Sequence, residues 1–222
     1  MAKYNATTTM FPQLTRYLYF KDECFYSLMF CLIQKSSFDE VIFWSGEIYY
    51  SGFHEQLWDH IWKLYYDFYA IKYPKYEKKI NKLSKEKMDF KNIVYLLNLF
   101  YYSKPTYTVF ALRMLNPESP THVYLGRIPK WLKELELTKW ERKLIRSIQN
   151  KKKVNIAFYI KQVKCTQQCY NAIKKYYMQV LSLPLKNKSL DAINYKNKAH
   201  ILLALICHLS LGASEIQTKT IF

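Results

Sequence analysis

The residues of this chain that could do chemistry are few and scattered. Cys165 and Cys169 are spaced i, i+4, and His200 and His208 flank Cys207 further on. Two thiolates and two imidazoles would suit tetrahedral zinc, which takes four nitrogen or sulfur donors. The spacing matches no known zinc pattern, and cysteine is commonly a buried apolar residue. The four are therefore a weak alternative, and the sequence assigns neither a metal nor a cofactor. No cysteine is paired with a particular histidine as nucleophile and base. Among the carboxylates, Asp22, Glu23, Asp39 and Glu40 fall where helices should start, and capping explains them. Glu47 lies among aromatics inside an expected helix. Convergence of Glu47, His54, His60 and His122 in space would argue for an enzyme. No phosphate-cradling or dinucleotide glycine pattern, H-E-x-x-H or G-x-S-x-G is present, and the chain has 4 glycines in all. These features point to a protein that is not an enzyme.

The cations carry more information. Residues 1 to 70 hold 5 Lys+Arg and 8 Asp+Glu, whereas residues 71 to 222 hold 29 and 9, giving nets of −3 and +20 within a total of +17. A field of that strength attracts polyanions and speeds association with them. The segment KYEKKINKLSKEK places Lys75, Lys78, Lys79 and Lys82 along an amphipathic helix, with Tyr76, Ile80 and Leu83 on the other side. A solvated helix face would look the same. Further on, YLGRIPKW joins Arg127, Lys130 and Trp131 in an expected loop, with Lys133 one turn later and Lys151, Lys152 and Lys153 forming a basic turn. Cations beside an exposed tryptophan can hold a phosphate backbone and stack on a base. The alternative is a Trp131 that anchors the loop in the core. The tyrosine stripes, Tyr49, Tyr50, Tyr65, Tyr66, Tyr69, Tyr101 and Tyr102, could be a stacking platform but read better as core edges.

The elements that must position these groups are helices. Asp22 and Glu23 open the first, and Ser37 with Glu40 forms an S-x-x-E capping box for the second, which Gly52 should end. A third runs from about His54 to Lys72, stopped by Pro74. The lysine-rich helix follows, then one after Asp89 and one from Thr106 to Leu115. Residues 116 to 130 hold three prolines and a glycine, the expected boundary between subdomains. Beyond it, Thr138 and Glu141 form a second capping box for a helix to about Gln149. Residues 155 to 181 read as one long or two short helices, and a last helix spans about Tyr195 to Leu211. The expectation is an all-α fold of about eight to ten helices, an irregular bundle or a short repeat-like array. It has an aromatic-rich subdomain at 1–115 and a basic one at 116–222, which could also be one continuous domain. No apolar run is long enough to span a membrane. The five cysteines, without a secretory pattern over Met1 to Thr9, fit reduced thiols in the cytosol.

Three stretches together resemble proteins of unassigned activity encoded by giant viruses of the nucleocytoplasmic large DNA virus group, mimivirus-like. They are YLYFKDE through IYYSGF to the aromatic run ending at Tyr69, then THVYLGRIPKW (121 to 131), then HILLALICHL (200 to 209). The resemblance carries over no catalytic residue. It implies a setting in the host cytoplasm (a viral factory) or in the virion, and a family whose members continue past the segment matching EIQTKTIF. On this basis the expected role is a helical binding or scaffold protein whose basic face contacts nucleic acid or another polyanion. The alternatives are a virion structural component, a minor capsid or cementing protein meeting viral proteins or a second copy of itself, and thirdly an enzyme or enzyme subunit of viral nucleic-acid processing.

Overall fold

The computed structural model describes residues 13–86, 89–121, 130–164, 167–179 and 198–211. It is an all-α multi-helix bundle, with no strand among the described residues beyond an isolated antiparallel bridge between Leu14 and Phe20. The helices are α1 (Lys21–Gln34), α2 (Phe38–Tyr50), α3 (His54–Leu64), α4 (Tyr76–Lys85), α5 (Phe90–Tyr101), α6 (Thr108–Met114), α7 (Lys130–Lys133), α8 (Lys139–Gln149), α9 (Lys153–Gln162), α10 (Gln167–Gln179) and α11 (Lys198–Leu211). A π-helical turn, Tyr65–Tyr69, directly follows α3. No helix among the described residues is long and apolar enough to cross a membrane.

Local chemistry explains most boundaries. Thr138 and Glu141 form the expected reciprocal capping box at the start of α8. At α2 Ser37 caps the helix, but the expected reciprocal box with Glu40 does not form. Ser37 accepts the Asp39 N–H, while the Glu40 carboxylate accepts from Cys31 Sγ at 3.4 Å. Gly52 sits just past α2 at φ +85°, a left-handed conformation that glycine adopts without strain. Asp89 caps α5 through the Lys91 N–H. The expected helix to Lys72 widens after Leu64, because a five-residue π turn, with the Ala70 N–H bound to the Tyr65 carbonyl, replaces its second half. Residues 153 to 179 form two helices, and the expected start of the last helix at Tyr195 lies outside the described residues.

The chain divides into two compact units, Met1–Ile61 with Glu86–Tyr102, and Trp62–Lys85 with Ser103–Phe222. This differs from the division expected at 115 and 116. α6 lies before that point in sequence yet packs on the π turn, α9 and α11, so it belongs with the later helices. Lys161 reinforces this by donating to the Leu115 carbonyl and to Asn116 Oδ1 at the end of α6.

In the first unit, α1 packs on α2 and α5, and α2 packs on α5. Leu28 and Leu32, Val41 and Ile48, and Ile93, Leu96 and Phe100 fill its core without exposure. Lys35, in the left-handed position that ends α1, sends Nζ to the carbonyls of Phe100 and Tyr101, and Tyr101 Oη returns a bond to the Ser36 carbonyl at 2.7 Å. Each helix end thereby satisfies backbone carbonyls at the other.

In the second unit, α11 is buried on every side from Ile201 to Cys207. A helix apolar all round belongs at the centre of its unit, and α11 meets α6, α9, α10 and the π turn. Tyr65, Tyr66, Phe68 and Tyr69 are buried beside it. Three of the tyrosines considered as a stacking platform are therefore core, while Tyr50 and Tyr102 are exposed.

Candidate functional site

In the second unit the π turn brings a carboxylate inward. Asp67 is 3% exposed, and Arg113 from α6 reaches it with Nη2 at 2.9 Å and Nε at 3.2 Å. His200 from α11 places Nε2 3.7 Å from the same carboxylate. Burial raises the Asp67 carboxyl despite the opposing pull of Arg113 and Lys63. Burial, with Arg113 and Lys63 adding to it, lowers His200 to about 3, so the imidazole is neutral near pH 7. Beside this group, Tyr66 donates its hydroxyl to the buried Glu77 of α4 at 2.7 Å, and burial raises its phenol further above the ordinary range than the Glu77 charge alone would. π turns often mark functional positions. Here the turn accommodates one charged side chain inside a core of aromatic rings.

The Glu77 bond fixes α4, as does Tyr76, whose hydroxyl lies 3.0 Å from Ser103 Oγ. Ile80 is fully buried on the same side. With that face committed, Lys78, Lys79, Lys82 and Lys85 stand along the other, and Lys75 stands exposed just before the helix. The Lys79 ammonium also lies 5.9 Å from the centre of the Tyr76 ring. The expected lysine stripe is therefore present as one helix face. Lys130 and Lys133 are exposed on α7, and Lys151, Lys152 and Lys153 are exposed at the α8–α9 turn, so the expected cations occupy three separate elements. Arg127 and the side chain of Trp131 lie outside the described residues.

Two further cations extend the patch. Lys72 has its ammonium lowered by burial first and then by the charge of Lys104. Lys104 is exposed and donates its N–H to Tyr73 Oη, next to the start of α4. Lysines crowded enough to oppose each other's charge favour a bound anion. The sequence does not reveal this pair, because the two residues meet only through the fold.

The other candidates do not assemble. Glu47 is buried in the first unit and holds Arg16 Nε at 2.9 Å and the Tyr17 N–H at 2.9 Å. Burial alone would raise its carboxyl, but the bonds from Arg16, Thr15 and Tyr17 win and hold it below the usual range. His54 packs on the Tyr49 ring at 4.3 Å and His60 on Phe25 at 4.9 Å, while His122 lies outside the described residues. Each described member of that set thus has its own neighbour. Of the weak zinc set, Cys169 is buried, His200 faces Asp67, His208 Nδ1 meets the Ile71 carbonyl at 2.9 Å, and Cys165 lies outside the described residues. Among the described residues no three His, Cys, Asp or Glu side chains gather as a metal site would need.

A shallow cleft of about 290 Å³ in the second unit is lined by Glu134, Glu136, Gln168, Asn171 and Lys175 over Leu137 and Ala172. No protein-family model matches the chain, and no curated protein and no solved structure matches it.

Proposed function

We propose that this is a non-enzymatic binding protein whose second unit docks the phosphate backbone of nucleic acid along α4. The observation that carries the reading is that charge follows packing. The unit Met1–Ile61 with Glu86–Tyr102 contains 6 Lys+Arg and 9 Asp+Glu, a net of −3, and the other contains 28 and 8, a net of +20. The dividing line drawn by contacts therefore separates the charge as sharply as the one drawn in the sequence. A random distribution of surface lysines would not respect that boundary.

Lys75, Lys78, Lys82 and Lys85 recur at about one helical turn, so they form one row of positive charge along α4 and the residue before it. Lys72 and Lys104 thicken the positive field at the head of the helix. Such contacts position a backbone and carry no base specificity. The expected behaviour is binding without sequence preference. A host-cell viral factory or a virion, the setting implied by the viral resemblance, would supply the polyanion.

The test is fluorescence anisotropy of a labelled duplex titrated with the full chain and with a Lys75→Gln, Lys78→Gln, Lys82→Gln variant. The variant should bind more than tenfold more weakly to every duplex sequence tried. Equal binding by variant and parent would remove α4 from the interface.

A further inference from the structure

The first unit is acidic, and most of the exposed large apolar side chains among the described residues belong to it. On α1 the two properties coincide. Asp22 and Glu23 are exposed, and Tyr26 and Phe30, at 66% and 60% exposure, continue the same face at i+4 and i+8 from Asp22. The opposite face is spent on the core through Cys24, Leu28 and Leu32. A helix that presents carboxylates and bare aromatic rings to solvent is built for a cationic partner, because lysine pairs with the first and sits over the second.

The chain itself already uses this chemistry. Lys143 lies over Trp140 at 5.0 Å, Lys174 over Tyr170 at 4.8 Å, and Lys35 over Tyr101 at 5.3 Å. It also carries a face of matching pattern. On α4, Lys78 and Lys82 are separated by the same helical step as Asp22 and Tyr26, about 6 Å along the axis.

We propose that the α1 face Asp22, Glu23, Tyr26 and Phe30 docks the α4 lysine face of a second copy of this chain. Each copy carries one face of each kind, so the contact joins two different surfaces and not the same surface of both copies. Two chains of net +17 repel at long range, but at about 0.1 M salt that repulsion decays within about 10 Å, and local pairing decides the outcome. A single helix face is a small interface, so association falls in the range of about 10 to 100 µM. Self-association of this kind needs no nucleic acid, and because it uses the same α4 lysines a bound duplex would compete with it.

The test is sedimentation velocity of the full chain, freed of nucleic acid, from about 5 to 200 µM in about 100 mM and about 500 mM NaCl. The parent should associate with rising concentration at the lower salt and be monomeric at the higher. Tyr26→Ser with Phe30→Ser should be monomeric in both, as should Lys78→Glu with Lys82→Glu. Each variant keeps one intact face, so an equimolar mixture should form a dimer and stop there. Asp22→Lys with Glu23→Lys repeats the α1 arm with charge alone, should the aromatic variant fail to give the parent circular dichroism. A parent that stays monomeric at low salt, an α1 or α4 variant that associates like the parent, or a mixture that stays monomeric would each overturn the proposal. Duplex binding by the α1 variants at parental affinity shows that the polyanion reading stands or falls separately.

Discussion

Arg113 grips Asp67 with two nitrogens, Nη2 at 2.9 Å from Oδ2 and Nε at 3.2 Å from both oxygens, across 46 residues of sequence. The carboxylate is nearly inaccessible, whereas the guanidinium keeps about a third of its surface in solvent. The pair thus ties the π turn to α6 from inside the second unit and leaves its positive end toward water.

Breaking this pair from the arginine side leaves a buried charge without its main partner. Arg113→Met should destabilise the protein by about 3 kcal/mol, and Asp67→Asn with Arg113→Met should recover a large part of the loss. Urea unfolding followed by circular dichroism measures both. A loss under about 0.5 kcal/mol for the single variant, the size of an ordinary surface change, would show that the pair does not hold the turn.

His200 gives the stability a pH dependence of known sign. Its folded value is depressed to about 3 from the ordinary 6.5, so the unfolded chain binds the extra proton between those limits. Its contribution is present above about pH 6.5 and is lost as pH falls toward 3, at up to about 1.4 kcal/mol per pH unit. Asp67, raised by burial, works in the opposite direction, with a contribution lost as pH rises. Unfolding of the parent and of His200→Asn at several pH values between about 4 and 7 isolates the histidine. The parent should lose more stability on acidification than the variant, and parallel curves would contradict the assignment.

The thiols of Cys24, Cys31 and Cys207 should be inert in the folded protein. Burial raises all three, Cys207 to about 12. Thiolate is the reactive form, so labelling by iodoacetamide at about pH 8, mapped by mass spectrometry, should reach these positions only after unfolding. Modification of Cys207 at the rate of a free thiol would show that α11 is not the centre of its unit.

Glu47 should control the segment before α1. It receives Arg16 and the Tyr17 N–H, and the Arg16 N–H is bound by Ser51 Oγ at 2.8 Å. Glu47→Gln keeps the shape and removes the charge. It should speed hydrogen exchange at Tyr17 and trypsin cleavage after Arg16 while leaving exchange in α5 unchanged. Unchanged rates at both positions would mean that the Leu14–Phe20 bridge suffices alone.

The sequence was legible where the information was local. The Thr138–Glu141 box, the Asp89 cap and the Gly52 stop each depend on residues within one turn of each other, and each is present. The lysine face of α4 was legible for the same reason, because Ile80 and the lysines differ only in helical phase. The π turn was not, since the aromatic spacing from Trp62 to Tyr69 reads as uninterrupted α-helix and the cation that Asp67 meets is not a local one. That cation, Arg113, and the facing imidazole, His200, come from distant helices that one sequence does not bring together. The unit boundary failed to show at residues 116 to 130 because proline marks a loop, not the side on which α6 packs. On α1 the helical spacing of Leu28 and Leu32 marks the buried side, and the exposure of Tyr26 and Phe30 follows from their different phase.

Duplex affinity as a function of salt decides whether the basic unit holds a polyanion. With about four to six phosphate contacts from that unit, log affinity should fall against log salt concentration with a slope of about −4 to −5, independent of duplex sequence. The slope should shrink by about 1 for each α4 lysine changed to glutamine. A slope near zero, or no binding at low salt, would leave the +20 unit without its proposed ligand.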